Sequence, residues 1–215
     1  VYTGADALDE LVDAQLVEVE SGTGTQARYR LHDLVGVFAR ELLAAEVPAR
    51  ERTAAQRRLL RCWLFLASQA HRNEYGGDFT ISRSSAEHWS LPAEITNELL
   101  ADPIAWFESE HTNLVTAVRL AAELNAVDLC SDLAVTAVTF FEARAHREDW
   151  RETHQLALEL AVRHRDDRAE AAVRCSRAGL ALVEQRFEAA ASDLTAALNW
   201  FEQVGDIHGR GLALR

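Results

Sequence analysis

The chain has 215 residues, 48% of them apolar and 26% charged, which is enough apolar material for a core and excludes wholesale disorder. Its formal net charge is −12 and its 22 basic residues are all arginine, so the surface as a whole repels nucleic acid. No apolar run approaches the ~18 residues that a membrane span needs, and the first residues do not read as a secretory leader, so a cytoplasmic location is expected.

Residues 5–16 place Ala7, Leu8, Leu11, Val12 and Leu16 on one helical stripe. Residues 17–20 then alternate polar and apolar like a strand, the small residues of 21–25 form a turn, and 27–31 alternate back. A helix over 32–46 follows and is closed by Pro48. Helix, hairpin, helix is the second half of a winged helix, and its first elements are expected before residue 1. Leu31, His32 and Asp33 stand where strand becomes helix. Asp33 reads as a helix cap rather than a metal ligand. His32 is fixed beside the helix start, where it either packs locally or faces a ligand.

The next helix spans 50–72, with Leu59, Leu60, Trp63, Leu64, Leu66, Ala67 and Ala70 on a broad apolar face. Residues 73–90 contain Gly76 and Gly77 and little periodicity, and Trp89 within them is the one tryptophan expected at the surface. Trp63, Trp106, Trp150 and Trp200 fall on apolar stripes and are expected in the core. Asp102 and Pro103 open a helix through 124, the acid capping and the proline at the first turn. Helix pairs follow at 126–145 with 148–163 and at 167–184 with 187–203, and a third pair opens near 207.

Trp150 and Phe187 introduce the second helices of the two pairs and are 37 residues apart, close to the 34-residue tetratricopeptide period. Phe187, Ala190, Leu194 and Ala197 fit that repeat's aromatic, small and packing positions, whereas Thr153 replaces the small residue in the earlier copy. A stack of such pairs offers a curved face to a partner. The first helices of the pairs are expected to build it, with Arg144, Arg174, Arg177 and Glu184 as polar handles.

No catalytic constellation is legible. His146 and His154 are eight residues apart with no His-x-x-x-His arrangement, and the run 205–211 has neither a strand before it nor a lysine after it, so it reads as an inter-repeat turn. Cys62, Cys130 and Cys175 fit no zinc or disulfide spacing and are expected as buried thiols in a reducing compartment. No metal ligand is assigned, and the chain is expected not to be an enzyme. Residues 1–47 hold nine acids and three arginines, a balance of −6, which opposes direct nucleic-acid binding by the winged-helix portion.

Residues 28–42, from Arg28-Tyr29-Arg30-Leu31-His32-Asp33 into Leu34-Val35 and Phe38-Ala39-Arg40-Glu41, resemble the Met-His-Asp segment in the winged-helix subdomain of STAND-type NTPases, the NB-ARC regulators, with Leu31 in place of Met. With the run at 105–118 and the helix pairs, the whole chain is similar to the region after the NTPase core in antibiotic regulatory proteins of the SARP type. The resemblance implies an all-α fold in three parts: the end of a winged helix with one β-hairpin (1–47), a connecting helical region (48–125) and tetratricopeptide-like pairs (126–215). It implies that His32 touches the β-phosphate of ADP when the NTPase core is present, and that ATP and ADP are cofactors of the full-length protein only. It implies the protein's own NTPase domain as one partner and an unidentified protein, peptide or small-molecule signal as another. The alternative is a stand-alone helical-repeat adaptor without nucleotide dependence. The chain is expected to be a middle piece of a longer protein, with more repeats after it and apolar surface exposed where the array stops.

Overall fold

The structure is a computed structural model that describes residues 4–21, 27–77 and 90–215. The expected turn at 21–25, most of the irregular stretch at 73–90 and the exposure of Trp89 lie outside the described residues. The chain divides into two compact units, Val1–Gln56 and Arg57–Arg215.

The first unit is helix, hairpin, helix. Helix α1 (Gly4–Asp13) ends where Gln15 turns left-handed at φ 57°. Strand β1 (Val17–Ser21) pairs antiparallel with β2 (Ala27–Leu31), Val17 opposite Leu31 and Val19 opposite Tyr29. Helix α2 (Asp33–Glu46) follows directly, and α3 (Ala49–Tyr75) begins in this unit. Asp33 is not the cap. The His32 carbonyl already accepts from the Gly36 N–H at 2.8 Å, so His32 holds the cap position and Asp33 is the first helical residue. No side-chain cap bond forms there, and the Asp33 carboxylate lies 3.9 Å from Arg30 instead. At the other end of α2 the Arg52 guanidinium donates to the carbonyls of Ala44 and Val47, which satisfies acceptors that the helix leaves open.

The second unit is helical throughout its described residues. Helix α4 (Ala93–Leu99) was not expected; at seven residues it is too short for its periodicity to stand out. Helix α5 (Pro103–Glu123) starts as the sequence predicts, the Asp102 carboxylate accepting from the Ala105 N–H at 2.9 Å with Pro103 at the first position. The helix predicted over 126–145 is two, α6 (Val127–Thr136) and α7 (Val138–Arg144), separated at Ala137, whose ψ of −11° opens the helical turn. Then come α8 (Arg147–His164), α9 (Asp167–Val183), α10 (Phe187–Val204) and α11 (Ile207–Leu214). Among the described residues β1 and β2 are the only strands.

One turn recurs through this array. Asn125, Ala145, Arg165, Gln185 and Gly205 all adopt a left-handed φ between 51° and 70°, one every 20 residues. After each, the next N–H bonds a carbonyl five residues back: Ala126 to Ala121, His146 to Phe141, Asp166 to Ala161, Arg186 to Ala181 and Asp206 to Phe201. These are Schellman turns, which close off helix C-termini. A helix pair therefore repeats every 40 residues, not 37. Trp150 aligns with Ala190, Thr153 with Asp193, Ala157 with Ala197 and Ala161 with Phe201, and all eight are buried. Phe187 aligns with Arg147 and is 64% exposed, so it is not the repeat's packing aromatic.

Trp106, Phe107, Phe140, Phe141 and Trp150 form an aromatic centre with Leu66, Leu114 and Leu180, in which Phe107 stacks on Phe140 at 5.2 Å. Leu129, Leu133, Val118, Leu160 and Val173 continue the core around Cys130, and Ala171, Ala197, Phe201 and Ala213 close it at the last helices. Cys130 is buried as expected, whereas Cys62 and Cys175 are only half-buried. No helix among the described residues is long and apolar enough to cross a membrane.

Candidate functional site

In the first unit the strand–helix joint presents His32 to solvent. The residue is extended at φ −56° and ψ 144°, and its Nε2 lies 3.5 Å from Glu18 Oε1 on the neighbouring strand. Helix α2 then carries Leu34, 84% exposed, and Phe38, 63% exposed, with Val37, Leu42 and Leu43 also exposed. Among the unit's described residues only Val17 and Gly36 are buried. A small cleft of about 290 Å³ lies at the α2–α3 corner, lined by Arg40, Leu43, Val47, Arg52 and Ala55.

In the second unit three of the four predicted handles converge. Asp193 on α10 is 5% exposed, and a buried carboxylate requires pairing. Arg177 on α9 supplies a two-pronged bond, Nε to Oδ2 at 2.8 Å and Nη2 to Oδ1 at 2.6 Å. Arg174, one helical turn earlier, adds a bond to Oδ1 at 3.1 Å and donates its Nε to Glu170 at 2.7 Å. Glu184, at the end of α9, accepts from Arg151 of α8 and from Arg186. Burial pushes the Glu184 carboxyl up, but the hydrogen bonds and charges of Arg151 and Arg186 together outweigh it and hold the group below its ordinary value.

Four guanidinium groups, of Arg151, Arg174, Arg177 and Arg186, and one carboxylate, of Asp193, line a cleft of about 420 Å³, and Glu184 and Glu170 pair with the arginines from outside that lining. Arg144 is not part of it; that side chain bonds Glu108 at 2.7 Å. Sequence reasoning missed Arg151, Arg186 and Asp193. The signal available for Asp193 was a lone acid on the otherwise apolar face of Ala190, Leu194 and Ala197. Behind the cleft, His154 is fully buried. The Trp150 carbonyl can only accept, so Nδ1–H donates to it at 3.0 Å, and Nε2 accepts from the Ser176 hydroxyl at 2.8 Å. Burial keeps the imidazole neutral, which is what makes Nε2 an acceptor; its pKa is pushed down to about 3, mainly by burial and further by nearby Arg177, against the opposing Trp150 bond.

The chain is 26% identical over 213 residues to the regulatory protein AfsR of Streptomyces griseus, an alignment covering 99% of this chain and 21% of that protein. It is 29% identical over 199 residues to the regulatory protein AfsR of Streptomyces coelicolor, covering 90% of this chain and 19% of that protein. The chain thus spans about a fifth of the length of the curated relatives it matches. No family model matches the chain. No solved structure matches it.

Proposed function

We propose that the chain is a regulatory and sensing segment of an ATP/ADP-switched transcriptional regulator. In this reading the helix–hairpin–helix unit packs on the protein's own nucleotide-binding core, and the helix pairs bind a partner or signal. The observation that carries it is the solvent-facing His32 at the head of an uncovered apolar helix face, with Leu34 84% and Phe38 63% exposed. A contiguous apolar face of this kind marks an interaction surface. The resemblance around Leu31-His32-Asp33 is what supports the nucleotide core as that neighbour, and the likeness to two regulatory proteins supports the regulatory role.

The sequence contains no Gly-x-x-x-x-Gly-Lys-Ser/Thr loop, so the phosphate cradle belongs to the core. His32 contributes one N–H to a phosphate oxygen, a charge-assisted bond of about 1.5–3 kcal/mol. In the second unit the four guanidiniums of the cleft are already paired with Glu148, Glu170, Glu184 and Asp193, so the cleft offers a partner a charge-balanced polar surface rather than a net positive one.

The test uses a longer protein that carries the nucleotide core. His32→Ala should weaken ADP retention by roughly 10- to 150-fold, as loss of one such bond implies, and bias the regulator toward its active form. Unchanged ADP affinity would favour the alternative, a helical-repeat adaptor without nucleotide dependence.

A further inference from the structure

We infer that His111, His146 and Asp149 form a binding site for a borderline divalent transition-metal ion, with Zn²⁺ as the best match. His111 projects from the middle of α5. His146 holds the cap position of α8, directly after the left-handed Ala145, and Asp149 stands in the first turn of α8. Their ligand atoms all lie within 4.8 Å of one another. His111 Nε2 is 2.9 Å from Asp149 Oδ2, and His146 Nδ1 is 3.9 Å from the same oxygen. The two imidazoles stack with centroids 4.0 Å apart at 29°.

A hydrogen bond fastening α5 to α8 needs only one histidine. At 3.9 Å the second is too far to bond the carboxylate, yet its ligand nitrogen lies within 4.8 Å of the other two ligand atoms. A shared cation accounts for both. Zinc takes imidazole and carboxylate ligands at about 2.0–2.2 Å, which sets ligand atoms about 3.3 Å apart in a tetrahedron. The observed 2.9 and 3.9 Å bracket that spacing. Phe140 and Phe141 wall the site, with Phe140 5.9 Å from His111 and 5.3 Å from His146 between ring centres. The three ligands are half-buried, which leaves an entry path and room for a water ligand. Two nitrogens and one carboxylate suit a borderline ion rather than Ca²⁺ or Mg²⁺, which prefer all-oxygen sites.

The experiment is calorimetric titration of Zn²⁺ into the metal-free chain, with Co²⁺ as a visible-absorption probe. One ion per chain is expected, with a tetrahedral Co²⁺ spectrum. His111→Ala and Asp149→Asn should each weaken binding by roughly tenfold or more, while His164→Ala should leave it unchanged. Zn²⁺ should also shield His111 and His146 of the unaltered chain from diethyl pyrocarbonate, mapped by mass spectrometry. That readout decides the matter should either variant fail to fold. Absence of saturable binding, binding indifferent to both variants, or saturation without shielding of the two histidines would each overturn the site.

Discussion

His154 shows how a single buried group can tie the stability of the array to pH. Its imidazole is enclosed and neutral, bonded to Trp150 and Ser176, with a folded pKa of about 3 against an ordinary 6.5. Between those values the unfolded chain holds the extra proton, so stability rises with pH across the window and is lost as pH falls below 6.5 toward 3. From pH 7 to pH 5 the loss assignable to this residue is about 2 kcal/mol. His146, also lowered, acts in the same direction. Urea melts of the chain at the two pH values should show the loss, and His154→Leu should remove most of it. An equal slope in that variant would mean that other groups carry the acid sensitivity.

At the scale of elements, the last helix depends on the absence of one side chain. A Cβ at Gly209 of α11 would fall on the ring of Phe201, which is fully buried, whereas a Cβ at Gly211 two residues later meets nothing within 4 Å. Gly209→Ala should therefore destabilise, because overpacking of about 1–3 kcal/mol exceeds the roughly 1 kcal/mol gained by replacing a helical glycine. Gly211→Ala should stabilise by about 0.5–1 kcal/mol. Thermal melts and the rate of tryptic cleavage at Arg210 report both, and equal signs for the two variants would contradict the packing described. The elements themselves were largely legible. The hairpin and α2 followed from the change of period at His32, and α5 from Asp102-Pro103. The repeat register was not, because Phe187 is an aromatic in the expected place that burial does not select. The side-chain clusters were not legible either. Asp193 meets Arg177 across 16 residues and His111 meets Asp149 across 38, so both pairings exist only once the helices are stacked.

Over the whole molecule, a charge of −12 coexists with exposed Leu34, Phe38, Ile207 and Leu214. Like-charge repulsion keeps such chains apart, and it fades as the net charge approaches zero. The sequence places that point near pH 5.1. Sedimentation or light scattering should show self-association rising steeply as pH is lowered from 7 toward 5, and more so in high salt, which screens the remaining repulsion. Association that ignores both pH and salt would assign it to the apolar faces alone.

The even spacing of the left-handed turns has an evolutionary corollary. Helices α6 and α8 to α11 are each launched by the same backbone gesture at the same interval, and four of the five launching residues are not glycine. The rhythm is therefore written into the backbone geometry rather than into one residue type. Gain or loss of a segment measured in whole pairs, two intervals at a time, leaves every later helix in its place within a pair, while an insertion of any other length throws the rest of the stack out of step. A lineage built this way can vary the length of its stack, provided that it counts in forties.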